Sequence, residues 1–285
     1  MTQEDEHIIE AAGRCRIVIR DGKIVEVGEA QVRECPLARR FAHPVPVINK
    51  ESVKENIEHR IRAFGMCTPM REVLDNREFV GFGASEILSF GLFAGMIDAV
   101  VLACDGAGTV IATKPALVQG IGGRMSGLVA TCPYPTVIAR IEENGGIVLD
   151  RNHAAMDPLA GVALAVEKGF RKIAVTVARP GDATAIRRIH PATFIFGVHV
   201  TGLDKTESGE LVSACDLVTS CASQTIRDAV AGRALLQAGT AIPIFAMTPA
   251  GKELIIEKIR RSNEPVLVKP TKLPSLSGQQ PDPLV

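Results

Sequence analysis

The chain has 285 residues, 46% of them hydrophobic, 4% aromatic and none Trp, so a large core must be built from Val, Ile, Leu, Ala and Met. Its 32 basic and 32 acidic residues cancel, which leaves no net field to attract nucleic acid or an anionic bilayer. The opening Met-Thr-Gln-Glu-Asp-Glu is acidic where an export signal is basic and then apolar, and no apolar run approaches the roughly 18 residues of a bilayer span, so a cytoplasmic protein with neither nucleic-acid nor membrane partners is expected. Seven cysteines in an unexported chain of this size are reduced thiols rather than a disulfide framework.

In chain order, residues 14–28 alternate apolar and polar around Asp21-Gly22, the dipeptide of a two-residue hairpin turn. Residues 50–63 carry Val53, Ile57 and Ile61 at helical spacing and predict a surface helix. From residue 78 onward a helix, glycine, strand unit recurs, first in SEILSFGLFAG followed by MIDAVVLAC, later in PLAGVALAVEKG followed by FRKIAVTVA. Such units mean crossover connections and a mainly parallel sheet flanked by helices, an α/β fold. Strands are expected at 98–103, 172–178, 193–200, 215–220 and 242–246, and helices at 181–189, 206–213, 223–231 and 249–260. The organisation read from this is an N-terminal hairpin and helix over 1–77, a first α/β half with Gly-rich loops over 78–150, a second half over 151–263, and a disordered, proline-punctuated tail over 264–285.

In an open parallel sheet, ligands bind outside the carboxyl ends of the strands. The expected strand exits are Cys104-Asp105-Gly106-Ala107-Gly108, Arg179-Pro180-Gly181-Asp182, His199-Val200-Thr201-Gly202 and Cys221-Ala222-Ser223, all small and polar. Gly106 and Gly108, with Gly122 and Gly123 beside Arg124, are candidates to cradle a small anion through exposed amides. GIGGRMSG completes neither a dinucleotide fingerprint nor a P-loop, so nucleotide binding is not expected. Cys221 lies just before Ser223, the expected N-cap of a helix whose positive end would favour a thiolate, and is the best candidate for a reactive thiol. Asp105 and His199 are acid-base candidates, although a lone histidine at a strand exit is more often a hydrogen-bonded structural group. His153 has similar standing, and His7, His43 and His59 are expected to be solvated.

The segments FGMCT at 64–68, GASEIL at 83–88, CDGAGTVI at 104–111, VQGIGGRMSG at 118–127 and ALLQAGT at 234–240 resemble the methanogenesis marker protein 8 family. The likeness runs from the hairpin to the last helix. It implies an archaeal methanogen, or a relative carrying the same genes, and a role alongside methyl-coenzyme M reductase or its assembly factors. It supplies no reaction and no catalytic residues.

Two readings follow. In the first, the chain is an accessory protein for maturation or activation of methyl-coenzyme M reductase or a related metallocofactor, with Cys67, Cys104 and Cys221 as soft ligands to an iron-sulfur cluster; no CxxC pair supports this. In the second it is a cofactor-independent enzyme of racemase or isomerase type, in which Cys104 and Cys221 face each other across a small anionic metabolite. That arrangement resembles the aspartate/glutamate racemase superfamily, but the neighbours of both thiols depart from its pattern.

Overall fold

The computed structural model describes residues 5–35, 38–41, 43–125, 127–240 and 242–275. The chain opens with β1 (Glu6–Glu10), β2 (Arg16–Arg20) and β3 (Lys23–Val27), then α1 (Lys50–Phe64) and α2 (Ala84–Phe93). The central stretch runs β4 (Ala99–Cys104), β5 (Gly108–Ala112), α3 (Pro115–Gly122), β6 (Leu128–Ala130), α4 (Pro135–Glu143), β7 (Ile147–Val148) and α5 (Pro158–Glu167). Two βαβ units follow, β8 (Ile173–Val177), α6 (Pro180–Ile189), β9 (Phe194–Gly197), α7 (Lys205–Ala214) and β10 (Leu217–Thr219). The last elements are α8 (Gln224–Val230), β11 (Leu236–Ala238), β12 (Ile244–Ala246) and α9 (Pro249–Arg261).

The α/β fold expected from the sequence is present, with a qualification on strand direction. The large sheet has eight strands in the order β11-β12-β10-β9-β8-β4-β5-β7. Its centre, β4, β8, β9 and β10, is parallel, but β5 and β12 flank it antiparallel, so the sheet is mixed. β5 is fully buried and β4 nearly so, as strands covered on both faces must be. Helices α2, α3, α4 and α9 cover one face and α5 to α8 the other, with separate apolar clusters on each side.

A second, four-stranded antiparallel sheet has the order β3-β2-β1-β6. The expected hairpin is its β2-β3 edge, and Asp21 and Gly22 both take positive φ as its turn requires. The sequence reading missed β1 and β6, which add two strands to that hairpin. Because β6 belongs to the central stretch of the chain, the N-terminal sheet and the main body are interwoven. A third apolar cluster, including Ile9, Ile17, Ile19, Val53 and Ile57, lies between this sheet and α1.

The helix ends follow local chemistry. Asn49 and Ser52 form a capping box on α1, Asp204 and Glu207 form one on α7, and Thr248 caps α9 with Pro249 at its first turn. Residues 264–275 form no helix or strand, and Ser275 N–H donates to the Gln237 side chain at 2.8 Å. The remainder of the expected tail, 276–285, lies outside the described residues.

Candidate functional site at the seam between the two sheets

The carboxyl ends of β4, β8, β9 and β10 share one edge of the large sheet, and the N-terminal module packs over that edge. Cys67 N–H donates to Asp105 Oδ2 at 2.7 Å, His199 Nε2 lies 2.9 Å from Glu10 Oε1, and Glu10 N–H donates to Gly127 O at 2.7 Å. A side chain at Gly127 would run into the Glu10 carbonyl and the His199 ring, and its φ is +69°, so only glycine closes this junction. Among the described residues six non-glycine positions have positive φ, and four of them, Arg14, Cys67, His199 and Cys221, lie at or beside this seam. Such backbone persists only where its surroundings over-determine it, and it gathers at functional sites.

At the heart of the seam Arg71 and Asp105, both wholly buried, form an ion pair of 2.8 Å. Arg71 also donates to the carbonyls of Gly120, at 3.1 Å, and of Glu72. Asp105 is therefore a fully engaged structural carboxylate rather than an acid-base group facing substrate. Breaking one side of such a pair strands a buried charge.

The glycine cradle expected for an anion is absent from the described residues. Residues 105–107 are the tight turn of the β4-β5 hairpin, with Cys104 paired to Gly108. Gly106 N–H is spent on Thr131 Oγ1 at 2.8 Å, and the Ala154 carbonyl fills the space beside Gly108. Gly122 and Gly123 end α3, where the helix dipole is negative and repels an anion. Arg124 is paired with Asp75 at 2.7 Å and with Glu72 at 3.2 Å.

The expected thiols are also separated. Cys104 packs in the cluster on one face of the large sheet and Cys221 against the cluster on the other. Two strands lie between their own, which at about 4.8 Å per spacing puts the two exits roughly 14 Å apart. Cys67, Cys104 and Cys221 thus do not converge. The expected thiolate at Cys221 is corrected as well: burial pushes this thiol up to about 11, against opposing hydrogen bonds and the charge of Arg227. The short α8 behind it does not offset that burial.

A different set of donors does converge. β1 is extended, so Asp5 and His7, two residues apart, fall on one side of the strand. Across from them runs Thr131-Cys132-Pro133-Tyr134-Pro135, in which each residue before a proline is held out of the helical region; Tyr134 has φ −108° and ψ 111° and leads into α4. His7 Nε2 lies 3.4 Å from Cys132 Sγ and 3.6 Å from Asp5 Oδ1, and Cys132 Sγ lies 3.7 Å from the same Asp5 oxygen. Tyr134, the only tyrosine in the chain, donates to Asp5 Oδ1 at 2.5 Å and lies 2.9 Å from His7 Nε2. The other ring nitrogen, His7 Nδ1, meets Thr131 Oγ1 at 2.7 Å. His7 is wholly buried and Cys132 6% exposed, while the Asp5 side chain, 29% exposed, forms the open side.

Burial lowers the His7 pKa, against the opposing charges of Asp105, Asp5 and Glu6. Burial, followed by the Asp5 charge, raises that of Cys132. The geometry is not that of a Cys-His-Asp relay. In a relay the carboxylate and the nucleophile sit on opposite ring nitrogens, whereas here both face Nε2.

Sequence reading expected His7 to be solvated and passed over Cys132 and Tyr134. The available signals were the period-two pattern that pairs His7 with buried Ile9, and a lone tyrosine locked between two prolines. His153 is an exposed partner of Asp150 at 3.1 Å, and His43 stacks on His59 with ring centroids 5.2 Å apart.

The model of a family described as "Uncharacterized protein conserved in archaea (DUF2099)" matches residues 7–260, and the chain belongs to that family. An uncharacterized protein of Methanocaldococcus jannaschii is 42% identical over 284 residues, covering 99% of this chain and 100% of that protein. No solved structure matches. Among the described residues no helix is long and apolar enough to cross a membrane.

Proposed function

We propose that the protein is a methanogenesis-associated accessory factor that serves the maturation or activation of methyl-coenzyme M reductase, or of a related metallocofactor enzyme, acting with that enzyme or its assembly factors in the cytoplasm. The observation that carries this reading is the enclosure of metal-binding donor types: Cys67, Cys104, Cys132 and His7 are all buried. An enzyme of small metabolites needs a concave crevice open to substrate, and here the exits of β4 and β9 are met by the chain's own N-terminal module. Support for the setting comes from the likeness of five segments to the marker family and from the relative in Methanocaldococcus jannaschii. The two-thiol isomerase is the weaker reading, because Cys104 and Cys221 pack against opposite faces of the sheet.

The test is deletion of the gene in a methanogen, followed by purification of methyl-coenzyme M reductase from both strains. The expected result is an unchanged amount of reductase polypeptide with a lower specific activity or cofactor content, restored by a plasmid copy. Equal specific activity and cofactor occupancy in the two strains would contradict the role.

A further inference from the structure

We infer that Asp5, His7 and Cys132 form a mononuclear binding site for a divalent, zinc-class metal ion. The inference concerns these side chains alone and stands whether or not the accessory role holds.

The argument begins with distances. Zinc bonds to thiolate at about 2.3 Å, to imidazole at about 2.0–2.1 Å and to carboxylate at about 2.0–2.2 Å. A tetrahedral centre with those bonds separates sulfur from nitrogen by about 3.6 Å, nitrogen from oxygen by about 3.4 Å and sulfur from oxygen by about 3.6 Å. The three atoms in this structure stand 3.4, 3.6 and 3.7 Å apart in the same order. They already occupy three corners of the polyhedron.

The chemistry agrees with the spacing. Imidazole, thiolate and carboxylate are the mixed donor set that borderline-soft ions accept, whereas magnesium and calcium prefer oxygen alone. One thiolate and one carboxylate together neutralise a divalent ion, which allows the charge to sit in a mostly buried place. The support behind the ligands is also in place. Thr131 Oγ1 meets His7 Nδ1 at 2.7 Å and is itself held by Gly106 N–H at 2.8 Å, so the ring is oriented with Nε2 toward the other donors. Because a hydroxyl can donate or accept, Thr131 accommodates the tautomer that frees Nε2 for a metal.

Tyr134 completes the picture. Its hydroxyl now caps the triangle, satisfying Asp5 and His7 together. On metal binding it recedes to the fourth corner or yields it to water, and the partly exposed Asp5 side supplies the entry path.

The experiment uses the full-length protein, purified without added metal and titrated with Co2+ and Zn2+ under anaerobic conditions. We expect one equivalent to bind, with a thiolate-to-cobalt charge-transfer band that disappears in Cys132→Ser. Asp5→Asn and His7→Gln should weaken Zn2+ binding at least tenfold, and Thr131→Val should weaken it by about 10- to 100-fold. Tyr134→Phe should retain binding, and Cys221→Ser should match the wild type in every respect. Absence of saturable binding by the folded wild type, or a charge-transfer band that survives Cys132→Ser, would overturn the inference. If the His7 and Cys132 variants do not fold, the partly exposed Asp5→Asn decides, and undiminished affinity there counts against the site.

Discussion

Two groups of polar residues in this molecule look alike on paper and differ in space. The strand-exit group, Cys104, Asp105, His199 and Cys221, sits where α/β proteins usually bind ligands, yet its members point to different partners. Cys104 and Cys221 lie on opposite faces of the sheet, Asp105 is consumed by Arg71, and His199 is consumed by Glu10. The seam group, Asp5, His7, Cys132 and Tyr134, comes from an N-terminal strand and a proline-bounded loop more than 120 residues apart, and its donor atoms meet at one point. Position at the carboxyl edge of a sheet nominates a site; convergence of donor atoms on one point makes one.

That contrast can be broken first at Asp105. If this carboxylate is a keystone rather than a catalyst, Arg71→Met, which leaves it buried and unpaired, should lower stability by about 3–5 kcal/mol. Urea denaturation of wild type and variant measures this. A stability loss below about 1 kcal/mol would mean that Asp105 is hydrated and available for chemistry.

A smaller effect sharpens the comparison at the other end of the seam. The hydrogen bond from His199, opposed by burial and reinforced by His199 and Arg14 charge, lowers the Glu10 pKa below its ordinary 4.5. A carboxylate lowered on folding stabilises the native state above its unfolded pKa, and that contribution is lost as pH falls through the folded value. Glu10→Gln should therefore be less stable than wild type at neutral pH, with the gap closing below pH 4.5. A gap that persists undiminished in acid would mean that the Glu10-His199 contact does not clamp the sheets together through charge.

The fold was largely legible because its helices and central strands carry strong local signals. Asp21-Gly22 marked the hairpin, and the expected cap Ser223 marked the start of α8 where it lies. The missed elements have weak signals of their own. β6 spans Leu128–Ala130 and β7 only Ile147–Val148, too short for alternation to show, and both are fixed by pairing to distant strands. α3 was hidden by Gly120 and Gly122, poor helix formers that tertiary packing overrides; the backbone of Val73 presses directly against Gly120. The same glycines suggested an anion cradle, because a sequence shows glycine content without showing which amides are already bonded.

The site was less legible for a related reason. Thiols at strand exits are visible in a sequence, but the face to which each turns depends on strand register. Cys104 and Cys221 turned apart, while His7 and Cys132 were joined by β1 pairing with β6, a contact no local pattern announces. Even so, the extended Asp5-Glu6-His7 segment and the Thr131-Cys132-Pro133-Tyr134-Pro135 loop each carried a local hint in period and proline placement.

The most direct test of the claim that donors converge at the seam is X-ray absorption at the zinc edge on the full-length protein loaded with one equivalent of zinc. The account predicts a four-coordinate ion with a single sulfur at about 2.3 Å and nitrogen or oxygen neighbours at about 2.0–2.2 Å, the sulfur shell vanishing in Cys132→Ser. A shell of several sulfurs, or one made of oxygen and nitrogen alone, would contradict it.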